Sequence, residues 1–142
     1  MDTDAVARLR AVVGRLDRRL TAAARESDLT PTQMLVLAAI VRHGSISVGD
    51  LAIAEGLNPT MLSRVVGKLE DAALITRAAD AADRRVTLVE PTSAGRRLKK
   101  RIQQRRTAEL AERFTRLSPE QEDAVLAALP PLEELAADTT RQ

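Results

Sequence analysis

The sequence predicts a mainly α-helical fold with a small antiparallel β wing, built from about six helices and two to three short strands. Three observations lead to this prediction. Apolar residues recur at helical spacing along most of the 142 residues. Two β-capable runs flank a polar tip in the second half of the chain. Ser, Thr or Asn residues followed directly by proline mark several helix starts.

The first two helices are expected before residue 45. The first should run from about Asp4 to Glu26, because its apolar residues alternate at spacings of three and four and form a heptad seam. This seam comprises Val6, Leu9, Val13, Leu16 and Leu20. In the second helix, Thr30 is the predicted N-cap, Pro31 the first helical residue and Gln33 the partner in a capping box. Its predicted buried stripe comprises Met34, Leu35, Leu37, Ala38 and Val41, and Gly44 should end it.

Two short helices joined by a tight turn are predicted between Ser47 and the strand that begins at Leu74. Ser47 caps the first helix, Val48–Glu55, and Gly56 closes it because glycine tolerates the left-handed conformation. Asn58 caps the second helix, and Pro59 occupies its first position, where no amide hydrogen is needed. Its predicted buried face comprises Leu62, Val65, Val66 and Leu69.

The remaining faces of this second helix carry hydrogen-bond donors, namely Thr60, Ser63, Arg64 and Lys68. A helix that buries one side and offers small donors from its first turns suits the DNA major groove. Two simpler interpretations stay open. Thr60 and Ser63 could be tolerated surface residues, and Arg64 could pair with Glu70 or with a phosphate instead of a base.

A β-hairpin is predicted directly after these helices. Its strands are residues 74–77 and 86–89, and its polar tip is residues 78–85; residues 45–47 can add a third strand. Arginine on a protruding tip can enter a narrow minor groove, where the negative potential is deepest. Asp83 can hold such a guanidinium extended by a charge-assisted hydrogen bond. Arg77, Arg84 and Arg85 are therefore candidate DNA contacts, and the whole arrangement predicts a winged helix-turn-helix.

The C-terminal third is expected to be helical. A long helix should run from Thr92 to about Thr115, with its apolar residues Leu98, Ile102, Leu110 and Phe114 inward. Ser118 caps a last helix that begins at Pro119. This last helix holds Val125, Leu126, Leu129, Leu132 and Leu135. Pro130 and Pro131 lie in its middle, so we expect a kink, or a break and restart, at that point.

Composition limits the chemistry that this chain can perform. There is no cysteine, one histidine (His43) and no glycine-rich phosphate loop, so we expect no enzyme activity, no metal site and no cofactor. His43 is expected to have a surface or capping role. The net charge of +2 is uneven, because residues 58–106 sum to +7 and residues 107–142 sum to −5. A positive middle segment is what phosphate binding requires, although a charge run can also be a merely solvated helix face.

Four segments together resemble the MarR family of bacterial transcriptional regulators. They are residues 29–33 (LTPTQ), 69–77 (LEDAALITR), 83–85 (DRR) and 92–95 (TSAG). The resemblance implies that Arg85 enters the minor groove with Asp83 as its orienting partner. It also implies that Pro59, Thr60, Ser63 and Arg64 occupy groove-reading positions. The sequence departs from the family pattern at Gly67, at Ala73 where glycine is usual, and at Pro91.

The resemblance further implies a homodimer whose terminal helices interlock. Residues 1–142 would then be a single chain with two functional regions. Its DNA-binding lobe would be residues 30–91, and its dimerisation region would be residues 1–29 and 92–142. The expected dimer interface comprises Val6, Leu9, Val13, Leu110, Phe114, Val125, Leu129 and Leu132. The packing of all apolar stripes within one subunit is the alternative. The two-fold dimer would act on a pseudo-palindromic operator, most often as a repressor.

Members of this family commonly respond to small aromatic or anionic ligands, so a ligand-responsive regulator is expected, although a member without any ligand is also possible. Candidate lining residues are Val12, Leu16, Met34, Leu35, Val41 and Ile46. The sequence has no apolar run long enough to span a membrane and no leader, so a cytoplasmic location is expected. Two other functions stay open: a winged-helix protein-interaction module, or a ligand-binding helical dimer without specific DNA readout.

Overall fold

The computed structural model describes residues 1–25 and 28–138. Seven helices and three strands lie within them, which confirms a mainly α-helical fold with a small antiparallel sheet. Their order is α1 (Thr3–Ala23), α2 (Pro31–His43), β1 (Ile46–Ser47), α3 (Val48–Glu55), α4 (Pro59–Asp71), β2 (Ile75–Ala79), β3 (Thr87–Pro91), α5 (Ser93–Phe114), α6 (Pro119–Ala127) and α7 (Leu129–Ala136). The predicted end of the first helix, Glu26, lies outside the described residues. No helix in the described ranges is long and apolar enough to cross a membrane.

The three strands form one antiparallel sheet in the order β1-β3-β2. The hairpin strands are shifted towards the C-terminus of the predicted ones, since β2 includes Ala78 and Ala79 and β3 extends to Pro91. The two alanines were expected in the tip because residues 78–85 form a polar, flexible stretch, but pairing with β3 decides their conformation. Pro91 is tolerated because it is the last residue of its strand, opposite Ile75.

Residues 1–106 form the first of two compact units. Its core is aliphatic and is supplied by the second, third and fourth helices, the sheet and the first turns of α5. The wholly buried side chains include Leu37, Leu51, Leu62 and Val89. The predicted stripe of α2 was wrong at Leu35, which is 54% exposed. The buried residues of this helix are Met34, Val36, Leu37, Ala39 and Ile40. They include two of the predicted residues, Met34 and Leu37, and they cover a face of the helix that is wider than the predicted stripe.

Residues 107–142 form the second unit. Ser118 and Gln121 make the predicted capping box, with hydrogen bonds of 2.9 and 3.2 Å, and α6 begins at Pro119. The predicted break before the paired prolines is confirmed, since α6 ends at Ala127 and α7 begins at Leu129. Neither α6 nor α7 contains a buried residue. The division into a DNA-binding lobe, 30–91, and dimerisation segments stays a prediction about function.

Candidate nucleic-acid interface

The predicted caps fix the helix-turn-helix geometry. The Ser47 hydroxyl accepts a hydrogen bond of 3.1 Å from the Asp50 amide at the start of α3. Gly56 ends that helix in the left-handed region with φ of 62°. The Asn58 side-chain oxygen then accepts hydrogen bonds of 2.9 and 3.1 Å from the amides of Thr60 and Met61. These bonds satisfy donors that the first turn of α4 would otherwise leave free.

One face of α4 is buried and the opposite face is open to solvent. Leu62, Val66 and Leu69 are fully buried, while Val65 is half-buried. The residues of this helix and its cap that are candidate DNA contacts are all exposed, and they are Asn58, Pro59, Thr60, Ser63, Arg64 and Lys68. The helix therefore presents its polar face to solvent at the same time as its apolar face anchors it to the core. This is the arrangement that a major-groove helix needs.

The alternative pairing of Arg64 with Glu70 does not occur. Glu70 instead accepts a hydrogen bond of 3.0 Å from Nε of Arg77, which lies on β2. Within the described ranges, Arg64 has no ion-pair partner. The ion pair joins the end of α4 to the base of the hairpin. The DNA contact expected of Arg77 stays a prediction. The sequence did not predict this ion pair, although Glu70 and Arg77 both lie close to the connection between α4 and the hairpin.

The tip of the hairpin carries the predicted acidic and basic pair. Asp83 accepts hydrogen bonds from both Nε and Nη2 of Arg85, at 3.1 and 3.2 Å, and from the Arg85 amide at 3.1 Å. These bonds hold the pKa of the Asp83 carboxyl below its usual value, with the side-chain bond as the larger cause. The Arg85 side chain is 91% exposed, and its neighbour Arg84 is also exposed. The tip thus presents an oriented guanidinium to solvent.

The base of the hairpin is joined to the start of α5 through Thr92. Its hydroxyl donates a hydrogen bond of 2.7 Å to the Ala73 carbonyl and accepts one of 3.1 Å from the Gly95 amide. Ala73 has a positive φ of 59°, the conformation for which glycine is better suited. The sequence showed the departure at Ala73 and the motif of residues 92–95. It did not show that the two segments touch.

A cavity of about 440 Å³ lies within the first unit among α1, α2 and α5. Met34 and Leu35 line it, whereas the other four predicted ligand residues, Val12, Leu16, Val41 and Ile46, do not. Its walls are aliphatic and its rim is charged. Two ion pairs lie on that rim. One joins Arg42 to Glu55, and the other joins Arg106 to Asp17 at 2.9 Å.

A helix-turn-helix with an exposed donor face, beside a hairpin that carries an oriented arginine, defines a winged-helix protein of the DNA-binding class. The MarR family model matches residues 29–87 of this chain, which include both the helix-turn-helix and the wing tip. The chain belongs to the MarR family of transcriptional regulators, and it is accordingly a DNA-binding transcriptional regulator.

Similar proteins agree with this assignment. An HTH-type transcriptional regulator from Mycobacterium bovis is 31% identical over 90% of this chain and 91% of its own length. The structure of a transcriptional regulator from Pseudomonas aeruginosa is 32% identical to this chain, with a TM-score of 0.86. The match covers 96% of this chain and 96% of that one. The Multiple Antibiotic Resistance Repressor, MarR, shares the fold with a TM-score of 0.76 at 23% identity, over 91% of this chain and 92% of its own.

Proposed function

We propose that this protein binds a pseudo-palindromic DNA operator as a homodimer and represses transcription from it. In each subunit, α4 enters the major groove and the wing tip reaches the adjacent minor groove. The observation that carries the proposal is the Asp83–Arg85 pair, because two side-chain bonds and one backbone bond fix an otherwise solvent-exposed guanidinium. Holding this side chain in place before binding reduces the entropy lost when it enters the groove.

Within α4 we assign base contacts to the exposed residues of the first two turns. Thr60, Ser63 and Arg64 carry exposed hydrogen-bond donors that base edges can accept, and among the described residues Arg64 has no partner that would compete. Lys68 lies a turn further along, so it is assigned to a phosphate. Asn58 and Pro59 approach the duplex at the positive end of the helix dipole, which favours a phosphate.

The homodimer is supported by apolar residues that the single chain leaves uncovered. Val6, Leu9 and Val13 on α1, and Val125 and Leu129 near the C-terminus, are each at least 40% exposed. Leu110, Phe114 and Leu132 are half-buried. Amphipathic helices need to bury such stripes, and a second copy of the chain is the partner that MarR-family regulators use. A two-fold dimer places its half-sites about 34 Å apart, one turn of the duplex.

Selection of bound duplexes from a random pool tests the proposal. The expected product is a two-fold symmetric motif with half-sites about ten base pairs apart. Arg85→Ala should be selected in parallel as the wing control, and it should lose sequence preference beside the half-sites while retaining the half-sites themselves. A selected pool with no common motif would contradict sequence-specific binding. A motif without symmetry would contradict the dimer.

The repressor assignment has its own support and its own test. The HTH-type transcriptional repressor MdtR of Bacillus subtilis is 29% identical over 61% of this chain and 56% of its own length. A reporter with the selected site placed across its promoter should lose expression when the chain is co-expressed. Increased expression would show an activator, and a reporter in which the selected site is scrambled provides the control for DNA-independent effects.

The cavity of the first unit favours ligand control as a second candidate property. Its aliphatic lining suits an aromatic ring. Lys99, a lining cation that neither of the two ion pairs contains, suits a carboxylate. We propose that an aromatic acid occupies it and shifts the population towards a form with lower DNA affinity. Benzoate should raise the melting temperature of the wild type and not that of Leu35→Trp, whose ring would fill the cavity. An equal shift in both proteins would locate binding elsewhere, and no shift in the wild type would contradict the ligand proposal.

A further inference from the structure

One threonine hydroxyl connects the exit of the recognition helix to the beginning of α5. Thr92 donates its hydroxyl hydrogen to the Ala73 carbonyl at 2.7 Å, and the same oxygen accepts the Gly95 amide at 3.1 Å. The Thr92 amide donates to the Leu74 carbonyl at 3.0 Å. We call these three hydrogen bonds the Thr92 clamp. It joins residues 73–74 and 92–95, which are nineteen positions apart in the chain.

The clamp holds a residue that does not favour its own conformation. Ala73 has φ of 59° and is the one non-glycine residue with positive φ in the described part of the chain. An L-residue in this region crowds its Cβ against the neighbouring carbonyl oxygen. Such a conformation persists where surrounding contacts determine it. Here the end of α4 supplies two of those contacts, the bonds from the Ala73 amide to the Glu70 carbonyl at 2.9 Å and from the Leu74 amide to the Leu69 carbonyl at 3.0 Å. The Thr92 clamp adds the hydroxyl bond to the Ala73 carbonyl and the amide bond to the Leu74 carbonyl.

Ala73 is also the point where the chain changes direction. It follows the end of α4 at Asp71 and precedes β2, which begins at Ile75. Its backbone angles therefore set the direction of the hairpin relative to the recognition helix. The first turn of α5 lies directly against this junction, since a Cβ built on Gly95 would be 2.1 Å from the Leu74 carbonyl oxygen. A residue with a side chain at position 95 would push the two segments apart.

We propose that Thr92 is a positioning residue for DNA binding. Its hydroxyl fixes the junction at Ala73 and thereby sets the angle between the recognition helix and the wing. This inference rests on the proposed function, because it assumes that α4 and Arg85 contact one duplex together. Thr92 itself touches no DNA in this proposal; it acts through Ala73 and the hairpin.

The geometry of the hairpin makes this angle matter. Each hairpin strand has five residues and is therefore about 17 Å long at about 3.3 Å per residue. Arg85 lies beyond the strand ends, so it is at least this far from the junction. A rotation of about 10° at Ala73 then moves the tip by about 3 Å, which is comparable with a whole hydrogen-bond length. Two linked contacts reinforce each other only where the linkage lets both engage at once. A loosened junction would therefore reduce the contribution of Arg85 although its own pair with Asp83 is intact.

A double-mutant cycle tests the proposal with the full chain and the duplex selected from the random pool. Thr92→Val removes the hydroxyl at nearly constant shape, and Thr92→Ser is the matched control that keeps it. Binding is measured by fluorescence anisotropy well below the melting temperature of every variant. Thr92→Val should weaken binding about tenfold, which is within the range of coupling between contacting residues, while Thr92→Ser should stay within about twofold of the wild type.

The cost of Arg85→Ala in each background separates positioning from a merely structural role. This substitution should cost about tenfold in the wild type and less than about twofold in Thr92→Val. If Arg85→Ala weakened DNA binding equally in both backgrounds, the positioning role of Thr92 would be overturned and the proposed function would stand. A wild type that binds no duplex would overturn the proposed function as well, so the two failures are distinguishable.

A second variant keeps the test informative if Thr92→Val proves too unstable. Adding Ala73→Gly should restore the melting temperature, because glycine accepts a positive φ without strain. It should not restore DNA affinity or the effect of Arg85→Ala, because glycine accepts many other angles as well. Recovery of both affinity and the Arg85 contribution in Thr92→Val/Ala73→Gly would overturn the positioning role of the hydroxyl.

Discussion

Gly95→Ala and Gly67→Ala add the same methyl group to two helices of the first unit, and we expect them to change stability in opposite directions. Around Gly67 no atom outside its own stretch of helix backbone lies within 4 Å of a Cβ built there, so the position is open. At Gly95 the added Cβ would lie 2.1 Å from the Leu74 carbonyl oxygen and 3.1 Å from its carbon. Both of these atoms belong to the backbone, so no side chain can rotate away to make room.

The magnitudes follow from these surroundings. Gly67→Ala should stabilise the protein by about 0.5–1 kcal/mol, because alanine loses less backbone entropy in a helix. Gly95→Ala must displace the Leu74 carbonyl, which also accepts the Thr92 amide at 3.0 Å. Overpacking costs about 1–3 kcal/mol, and an unsatisfied backbone group costs about 1–3 kcal/mol. We therefore expect Gly95→Ala to lower the free energy of unfolding by about 2–6 kcal/mol.

Urea denaturation followed by circular dichroism measures both changes. The protein concentration must be the same for all variants, because the stability of a dimer depends on it. Gly67→Ala should move the midpoint upward and Gly95→Ala downward, with little change in the dependence on urea. A neutral or stabilising Gly95→Ala would refute the close approach of α5 to the junction after α4, and with it the physical basis of the Thr92 clamp.

Three further predictions concern the junction and the interface. Ala73→Gly should raise the free energy of unfolding by about 0.5–1 kcal/mol, measured by urea denaturation, because it relieves a positive φ of 59°. Ser63→Ala should cost about 1–3 kcal/mol of binding at one base pair, measured with single-position duplex variants; a uniform loss on every duplex would show a phosphate contact instead. The pKa of Asp83 is lowered, so its carboxylate is charged and orients Arg85 at all pH values above the usual carboxyl pKa. This effect is lost only as the pH falls through the lowered pKa of Asp83. DNA affinity of the wild type, relative to Asp83→Asn, should therefore be constant between about pH 5 and 8, and a decline within that range would contradict the pair.

The sequence predicted the helix starts well because each depends on a few neighbouring residues. Thr30, Ser47, Asn58 and Ser118 all cap helices through side-chain bonds that can be inferred from spacing alone. The break near the paired prolines was predictable for the same reason. These features are local, so no knowledge of the packed core was needed.

Features that depend on contacts between distant segments were predicted less well. The hairpin strands extend beyond the predicted limits because pairing with a partner strand, not intrinsic propensity, decides the conformation of Ala78 and Ala79. The Arg77–Glu70 ion pair and the Thr92 clamp were missed because they join separate segments. By contrast, the Asp83–Arg85 pair was predictable, since both residues belong to one short tip. The assignment of individual residues to DNA, ligand and dimer contacts stays a prediction.

The central claim is that an exposed helix face and an oriented wing arginine bind duplex DNA through its phosphates and grooves. Its most direct test is the anisotropy of a labelled, selected duplex titrated with the full chain between about 50 and 200 mM salt. We predict that the logarithm of the binding constant falls linearly and steeply with the logarithm of the salt concentration, because several phosphates are neutralised. Absence of binding at the lowest salt concentration, or binding that does not change with salt, would contradict the claim.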